Sequence, residues 1–269
     1  MADSTLPGSA DVWACADAVR RGGPLVHNVT NYVAMDLSAN ALLAVGASPA
    51  MVHAHEEVVD FALLADALVV NIGTLSPNWV ESMRLAVRAA TDRGIPWVLD
   101  PVAAGATSYR TQVGAELLAH RPTVVRGNAS EILSLAGMTG RGKGVDATDE
   151  SGDALEAAVA LAQVTGGVVA VTGDVDVVTD RRRTAHVAGG HPLMARVTAM
   201  GCAASAVVGA YAAAVADPLM ATASALAVFG LAGERAATGA VGPGTLRWRL
   251  LDELYALEQS TVLAGTRIS

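Results

Sequence analysis

Residues 67–102 read ALVVNIGTLSPNWVESMRLAVRAATDRGIPWVLDPV. The stretch opens with a short β-branched run, Ala67–Ile72, that reads as a strand. In the amphipathic segment Trp79–Arg93, Met83, Ala86, Val87 and Ala90 recur at i, i+3, i+4 and i+7, which places them on one face of a helix. Gly94 ends that helix, since glycine adopts the left-handed conformation common just past a helix terminus. A second β-rich run, Pro96–Val102, follows.

The same alternation extends outward in both directions. Pro24–Val29, the neighbourhood of Val52, Thr123–Arg126 and Gly167–Thr172 all read as strands between helical patterns. Strands alternating with helices of this length imply a three-layer α/β/α fold with a mostly parallel central sheet. After Gly173 the pattern changes. Val175–Thr179 and Thr184–Ala188 flank the polar tip Asp180–Arg183 and predict a β-hairpin on the sheet edge, and everything beyond Gly201 reads as helical to the end. Linkers, internal repeats and low-complexity tracts are absent from the sequence, so residues 1–269 are expected to form one domain.

Composition narrows the function classes. Of 269 residues, 52% are hydrophobic and only 16% charged, enough to build a large core and leave apolar surface for a homo-oligomer interface. The net charge of −8 argues against nucleic-acid binding, which needs a basic face. The lone basic run, Arg181–Arg183, lies beside Asp180 and reads as a solvated hairpin tip. Two cysteines, Cys15 and Cys202, form neither a disulfide framework nor a CxxC metal site. The apolar stretches Ala203–Ala216 and Leu219–Gly233 are each shorter than a bilayer span and are separated by Asp217-Pro218. With no signal-peptide pattern at the N-terminus, the reading is a cytoplasmic protein that engages no membrane.

In an open α/β sheet, ligands gather beyond the carboxyl ends of the strands. Asn28, Asn31, Asn71, Asp100, Asn128, Thr172 and the Gly201-Cys202 turn all fall there. The sequence around Gly142-Lys143-Gly144 approaches a phosphate-binding P-loop. It has Gly144 where that loop needs Ser or Thr, and an apparent helix, Ser130–Ala136, precedes it where a strand should. It reads as a connection. Gly201 differs: it opens the helix Ala203–Ala216, where backbone N–H groups and the helix dipole together favour an anion. Cys202, in that first turn, would have a lowered pKa, although a plain turn with a buried thiol fits as well. Asn128-Ala-Ser-Glu131 follows a strand with the spacing of a helix cap. His53, His55, Glu56 and Glu57 lack a third ligand at metal-site spacing, and Cys15 and Trp97 read as packing residues.

Taken in order, Pro24-Leu-Val-His-Asn-Val-Thr-Asn31, Gly46-Ala-Ser-Pro-Ala-Met51, Val98-Leu-Asp100-Pro-Val, Arg126-Gly-Asn-Ala-Ser-Glu131, Val171-Thr172-Gly173 and Gly201-Cys202 resemble the hydroxyethylthiazole kinases of the ribokinase-like superfamily. The resemblance runs from about residue 24 to 209, and Gly242-Pro-Gly244 extends it. It implies an ATP- and Mg²⁺-dependent transfer of phosphoryl to a small alcohol in thiamine salvage. By the same resemblance, Asn31, Met51 and Ala199 would face the alcohol, and Arg126 and Thr172 the ATP phosphates. Asp100, Asn128 and Glu131 would surround Mg²⁺, with Gly201 and Cys202 as the anion hole and the group beside the attacking hydroxyl. It also implies a homotrimer with the alcohol pocket between subunits. The family's turn is T-G-T-G-C, whereas this chain has Thr198-Ala199-Met200-Gly201-Cys202, which adds bulk. Kinases for other alcohols, such as hydroxymethylpyrimidine or a sugar, and ATP-dependent hydro-lyases share the fold and remain rival readings.

Overall fold

The computed structural model describes residues 6–138 and 150–269. The chain begins α1 (Ser9–Gly22), β1 (Leu25–Val29), α2 (Met35–Val45), β2 (Ser48–Ala50), α3 (Val58–Leu64) and β3 (Ala67–Asn71). It continues α4 (Pro77–Arg93), β4 (Trp97–Asp100), α5 (Ser108–Leu118), β5 (Val124–Asn128), α6 (Ala129–Met138), α7 (Glu150–Thr165) and β6 (Val168–Thr172). The hairpin β7 (Val175–Thr179) and β8 (Thr184–Ala188) leads through a 3₁₀ turn (Pro192–Arg196) to α8 (Met200–Ala214). Three more helices, α9 (Pro218–Thr238), α10 (Pro243–Ala256) and α11 (Gln259–Gly265), precede a short strand β9 (Arg267–Ile268).

The sheet has nine strands in the order β2-β1-β3-β4-β5-β6-β7-β8-β9, parallel from β2 to β6 and antiparallel from β6 onward. Strand residues alternate between its faces. Val26, Val69, Val98 and Val124 pack with α1, α2, α8, α9 and α10, whereas Leu68, Val70, Leu99 and Val125 pack with α4 to α7. Each of these side chains is buried and contributes roughly 1.5–3 kcal/mol. This is the expected three-layer arrangement.

The central unit forms as its sequence dictates. Ser76 caps α4, accepting the Trp79 N–H at 3.2 Å, Pro77 starts the helix, and Gly94 ends it in the left-handed conformation at φ 68°. Cys15 and Trp97 are core residues.

Three expectations are corrected. Val52 lies past β2 instead of within a strand, because pairing with β1 ends at His27–Ala50. The chain is not helical to its end: β9 pairs with β8 through Val187–Ile268 and Ala188–Arg267, so the hairpin is not the sheet edge. The hairpin tip is not merely solvated, for Arg183 bridges Asp180 at 2.7 Å and Asp217 at 2.6 Å, tying the tip to the N-cap of α9. Most of the P-loop-like stretch, residues 139–144, lies outside the described residues.

Helix α8 sets the site. It leaves the hairpin end of the sheet and crosses back over β1, β3 and β4. Gly209 permits this approach: a Cβ there would lie 2.5 Å from a Val69 methyl and 3.3 Å from one of Val26. Among the described residues, no helix is long and apolar enough to cross a membrane.

Candidate active site

At the carboxyl ends of β1, β3 and β4, three polar side chains meet below the first turn of α8. Asn71 Nδ2 donates to Asp100 Oδ2 at 2.7 Å, and Ser205 donates its hydroxyl to the same oxygen at 2.8 Å. Asn71 Oδ1 accepts Asn31 Nδ2 at 2.7 Å and the Gly73 N–H at 3.0 Å. Asn31 Nδ2 also reaches Cys202 Sγ at 3.4 Å, while its Oδ1 accepts the Ala34 N–H at 3.0 Å. A carboxylate can only accept, so Asp100 fixes the orientation of Asn71, and Asn71 in turn fixes Asn31. Glycine is required at 73, where a Cβ would sit 2.6 Å from Asn31 Nδ2.

Burial dominates the electrostatics here. It raises the Asp100 carboxyl to about 6, with nearby Glu131 adding to the rise and Arg126, Ser205 and Asn71 opposing it. Burial also raises the Cys202 thiol to about 11, aided by the Asp100 charge and opposed by Asn31, Asn71 and Arg126. This overturns the expectation of a lowered thiol pKa. The helix terminus favours a thiolate, but desolvation and a neighbouring carboxylate outweigh it.

Glu131 joins two loops. Its Oε1 accepts the Ala103 N–H at 2.7 Å and its Oε2 accepts the Asn128 N–H at 2.8 Å. Asn128 Oδ1 answers by accepting the Glu131 N–H at 3.0 Å and the Ser130 hydroxyl at 2.8 Å. The capping reading of this motif therefore holds, and it leaves the carboxylate beside Asp100. Among the described residues, no group of three His, Cys, Asp or Glu side chains could hold a metal ion by itself. His53 instead stacks on Trp79 at 4.0 Å, and His55 pairs with the Asn78 carbonyl.

Arg126, from β5, lies against the start of α8. A Cβ on Gly201 would be 2.6 Å from its Nη1, so only glycine admits the guanidinium there. Nη2 donates to the Thr172 hydroxyl at 2.9 Å, and Nε is buried without a partner among the described residues. A cation beside the positive end of a helix is unfavourable unless an anion lies between them, so this arrangement is suited to phosphate. Arg126, Thr172 and Gly201 open into a cavity of about 620 Å³ that continues past Asp176 to Gly189–Pro192, Met194, Met200, Leu226 and Phe229. Gly230 of α9 passes so close to Gly189 that a Cβ would meet its carbonyl carbon at 3.2 Å.

The sequence thus placed Asn31, Asp100, Arg126, Glu131, Thr172, Gly201 and Cys202 around one centre, and Met51 at the end of β2. Ala199 caps α8 with φ 63°, an uncommon conformation for a residue other than glycine. The added bulk of the turn goes largely to Met200, which lines the cavity. The sequence picks out Asn71 by its place after a strand but gives it no role, and it leaves Ser205 and Arg110 out of the site. Ser205 lies one turn beyond Cys202, a spacing that could have flagged it. Arg110 donates to the Ile72, Gly73 and Val102 carbonyls at 2.7, 2.7 and 3.2 Å, clamping the loops after β3 and β4 together. No local pattern signals that role.

A model of the hydroxyethylthiazole kinase family matches residues 16–260. A hydroxyethylthiazole kinase of Cereibacter sphaeroides is 57% identical over 252 residues, spanning 94% of this chain and 96% of that protein. The structure of hydroxyethylthiazole kinase from Pyrococcus horikoshii superposes with a TM-score of 0.90 at 43% identity, covering 96% and 98% of the two chains. A ribokinase-like superfamily protein of Enterococcus faecalis shares the fold, with a TM-score of 0.66 at 12% identity over 93% and 90%. With a helix start suited to an anion and a family match that takes in every residue of the centre, the chain belongs to the hydroxyethylthiazole kinase family, whose members are ATP-dependent kinases.

Proposed function

We propose that this protein transfers the γ-phosphoryl group of ATP to the primary alcohol of 4-methyl-5-(2-hydroxyethyl)thiazole, as a cytoplasmic enzyme of thiamine salvage built from a single kinase domain over residues 1–269. The observation that carries this reading is Arg126 held against Gly201, with the polar centre of Asn31, Asn71 and Asp100 directly alongside.

The residues divide into three groups. Arg126, Thr172 and the backbone N–H groups at Gly201 and Cys202 would bind the transferred phosphoryl and stabilise its charge. Asn31, with Met51 and Ala199, would orient the alcohol. The alcohol oxygen bonds to the γ-phosphorus as the bond to the β-phosphate oxygen breaks, ADP leaves, and the alcohol's proton passes late in the step to the transferred phosphoryl group and on to water. Cys202 is protonated at neutral pH, so it serves as a contact and not as the base. A loose transition state requires little early deprotonation, and positioning supplies most of the rate.

Magnesium fits the acidic pair. Both hydrogen bonds to Asp100 fall on Oδ2, which leaves Oδ1 for a cation, and the raised carboxyl reflects a charge that a cation would favour. Asp100 and Glu131 would hold the ion together with ATP phosphates and water, the usual magnesium environment. Asn128 would act by holding Glu131, since its own oxygen already accepts two hydrogen bonds, whereas each Glu131 oxygen accepts one. Bound there, Mg²⁺ would neutralise charge on the phosphates.

A homotrimer with the alcohol pocket between subunits is supported by the apolar surface next to Asn31. Tyr32 and Val33 are 65% and 56% exposed, and Leu64 at the end of α3 is 69% exposed.

The test is to incubate the protein with ATP, Mg²⁺ and hydroxyethylthiazole and detect thiazole phosphate by mass spectrometry, with hydroxymethylpyrimidine in parallel. Product from thiazole that vanishes without Mg²⁺ is expected. Phosphorylated pyrimidine alone would move the acceptor, and silence from both would sink the kinase reading for this chain.

A further inference from the structure

The chain leaves the sheet directly before Met51. β1 pairs with β2 from Leu25–Ser48 to His27–Ala50, and Met51, Val52 and His53 run on past the ladder, half-buried. Side chains from other elements hold them there. His27 Nε2 lies 2.7 Å from the Val52 carbonyl oxygen, and Ser82 of α4 donates its hydroxyl to the His53 carbonyl at 2.6 Å. The His53 ring stacks on Trp79 at 4.0 Å. Trp79 Nε1 donates to the Thr30 carbonyl at 3.1 Å, so one indole braces this segment and the residue before Asn31.

We infer that His27 is a positioning residue for the alcohol, acting through the Val52 carbonyl to fix Met51 on the alcohol side. The inference rests on the proposed role of Met51 in holding the alcohol.

The location of His27 calls for a hydrocarbon. The residue is 0% exposed and shares a sheet face with Val29, over a core that includes Val58, Leu68 and Val70. Its ring lies 6.1 Å from that of Phe61. A polar ring in such surroundings costs free energy unless it makes a directed hydrogen bond. The bond it makes reaches out of the strand to a loop carbonyl.

That bond is well suited to position a neighbour. The His27 backbone is paired on one side with Ala50 and on the other with Leu68, so the anchor is rigid and the loop conforms to it. A carbonyl can only accept, so Nε2 carries the ring proton. Burial lowers the imidazole below its ordinary range, outweighing the bond to Val52, and the ring is neutral near pH 7. The ladder ends one residue before Met51, and the Ser82 and Trp79 contacts begin two residues after it. The His27 bond falls between them, on the residue next to Met51.

The test is steady-state kinetics of the full chain with ATP, Mg²⁺ and hydroxyethylthiazole. His27→Phe keeps a ring beside Phe61 and removes the donor. KM for the alcohol should rise ~10-fold, the size of one lost buried hydrogen bond, with KM for ATP within about threefold of the wild type. His27→Gln restores an amide N–H and should recover most of the loss. An unchanged alcohol KM in His27→Phe, or a rise shared equally by ATP, would overturn the inference. So would a Gln variant no better than the Phe variant. If His27→Phe does not fold, histidine nitrogen NMR of the wild type decides. The His27 Nε2 signal should move when the alcohol is added and stay in place with ADP; a signal unmoved by the alcohol would sink the idea. Met51→Ala separates the inference from its premise. An unchanged alcohol KM in that variant would remove the alcohol-side reading of Met51, and the inference with it. A raised one beside a normal His27→Phe would overturn the inference alone.

Discussion

Asn71 Nδ2 and Asp100 Oδ2 lie 2.7 Å apart, and this single bond transmits the orientation of a buried carboxylate to Asn31, the residue proposed for the alcohol side. Replacing Asn71 with Ala removes the connector while leaving Arg126 and Thr172 untouched. Steady-state kinetics with both substrates varied should show kcat reduced by about 10²-fold, the effect of small misplacements at a reacting centre. The KM for ATP should stay within about threefold of the wild type. A matching rise in KM for ATP would mean that the bond holds the nucleotide side as well.

Asp100→Asn should give an inactive protein that is more stable than the wild type without metal. Burial moves this carboxyl from 3.8 to about 6. A folded-state value above the unfolded one means that stability is complete below pH 3.8 and is lost as the pH rises through about 6. The loss at pH 7.5 is on the order of 3 kcal/mol. Asparagine avoids it, because both hydrogen bonds fall on one oxygen and an amide can present its own oxygen there. Thermal unfolding in EDTA should therefore favour the variant at pH 7.5, with the gap narrowing toward pH 5. Equal midpoints at pH 7.5 would refute a buried, costly carboxylate.

Cys202→Ala should retain a substantial part of kcat, within about tenfold, since a thiol raised to about 11 is protonated at neutral pH. The pH–rate profile should carry no ionisation near 8 assignable to this thiol. Iodoacetamide should modify it slowly at pH 8 compared with a free cysteine. If Cys202→Ala abolished turnover with ATP affinity intact, a base at this position would have to be restored.

Gly201→Ala should act on the nucleotide. The new methyl would fall 2.6 Å from Arg126 Nη1 and drive the guanidinium off the helix start. KM for ATP should rise tenfold or more, in line with losing one charge-assisted contact. An unchanged KM would show that Arg126 does not hold the phosphates.

Sequence and structure agree where chemistry is local. The Trp79–Arg93 periodicity, the Asn128–Glu131 cap and the glycine opening α8 are each determined by neighbours a few residues away, and each was legible. The layered α/β/α fold followed from the same local alternation. Other features depend on residues far apart in the chain. Arg110 is recognisable only when the loops at 72–73 and 102 are seen together, and the connecting role of Asn71, whose place after a strand was legible, only when Asp100 is its neighbour in the sheet. The Cys202 thiol was misjudged for the same reason: a helix terminus is visible in sequence, but the burial and the Asp100 charge that override it are not.

Gly209 carries a consequence for the order in which the molecule is built. Apart from β2 and β1, strand order follows chain order, so the sheet can grow by successive neighbours. Helix α8 breaks that sequence by returning from the far side to seat Gly209 on Val26 and Val69, closing a loop of most of the chain. Closures of that span are entropically late events in folding. Cys202 and Ser205 arrive at Asn31 and Asp100 only with that helix, so the candidate centre is the seal on a finished sheet.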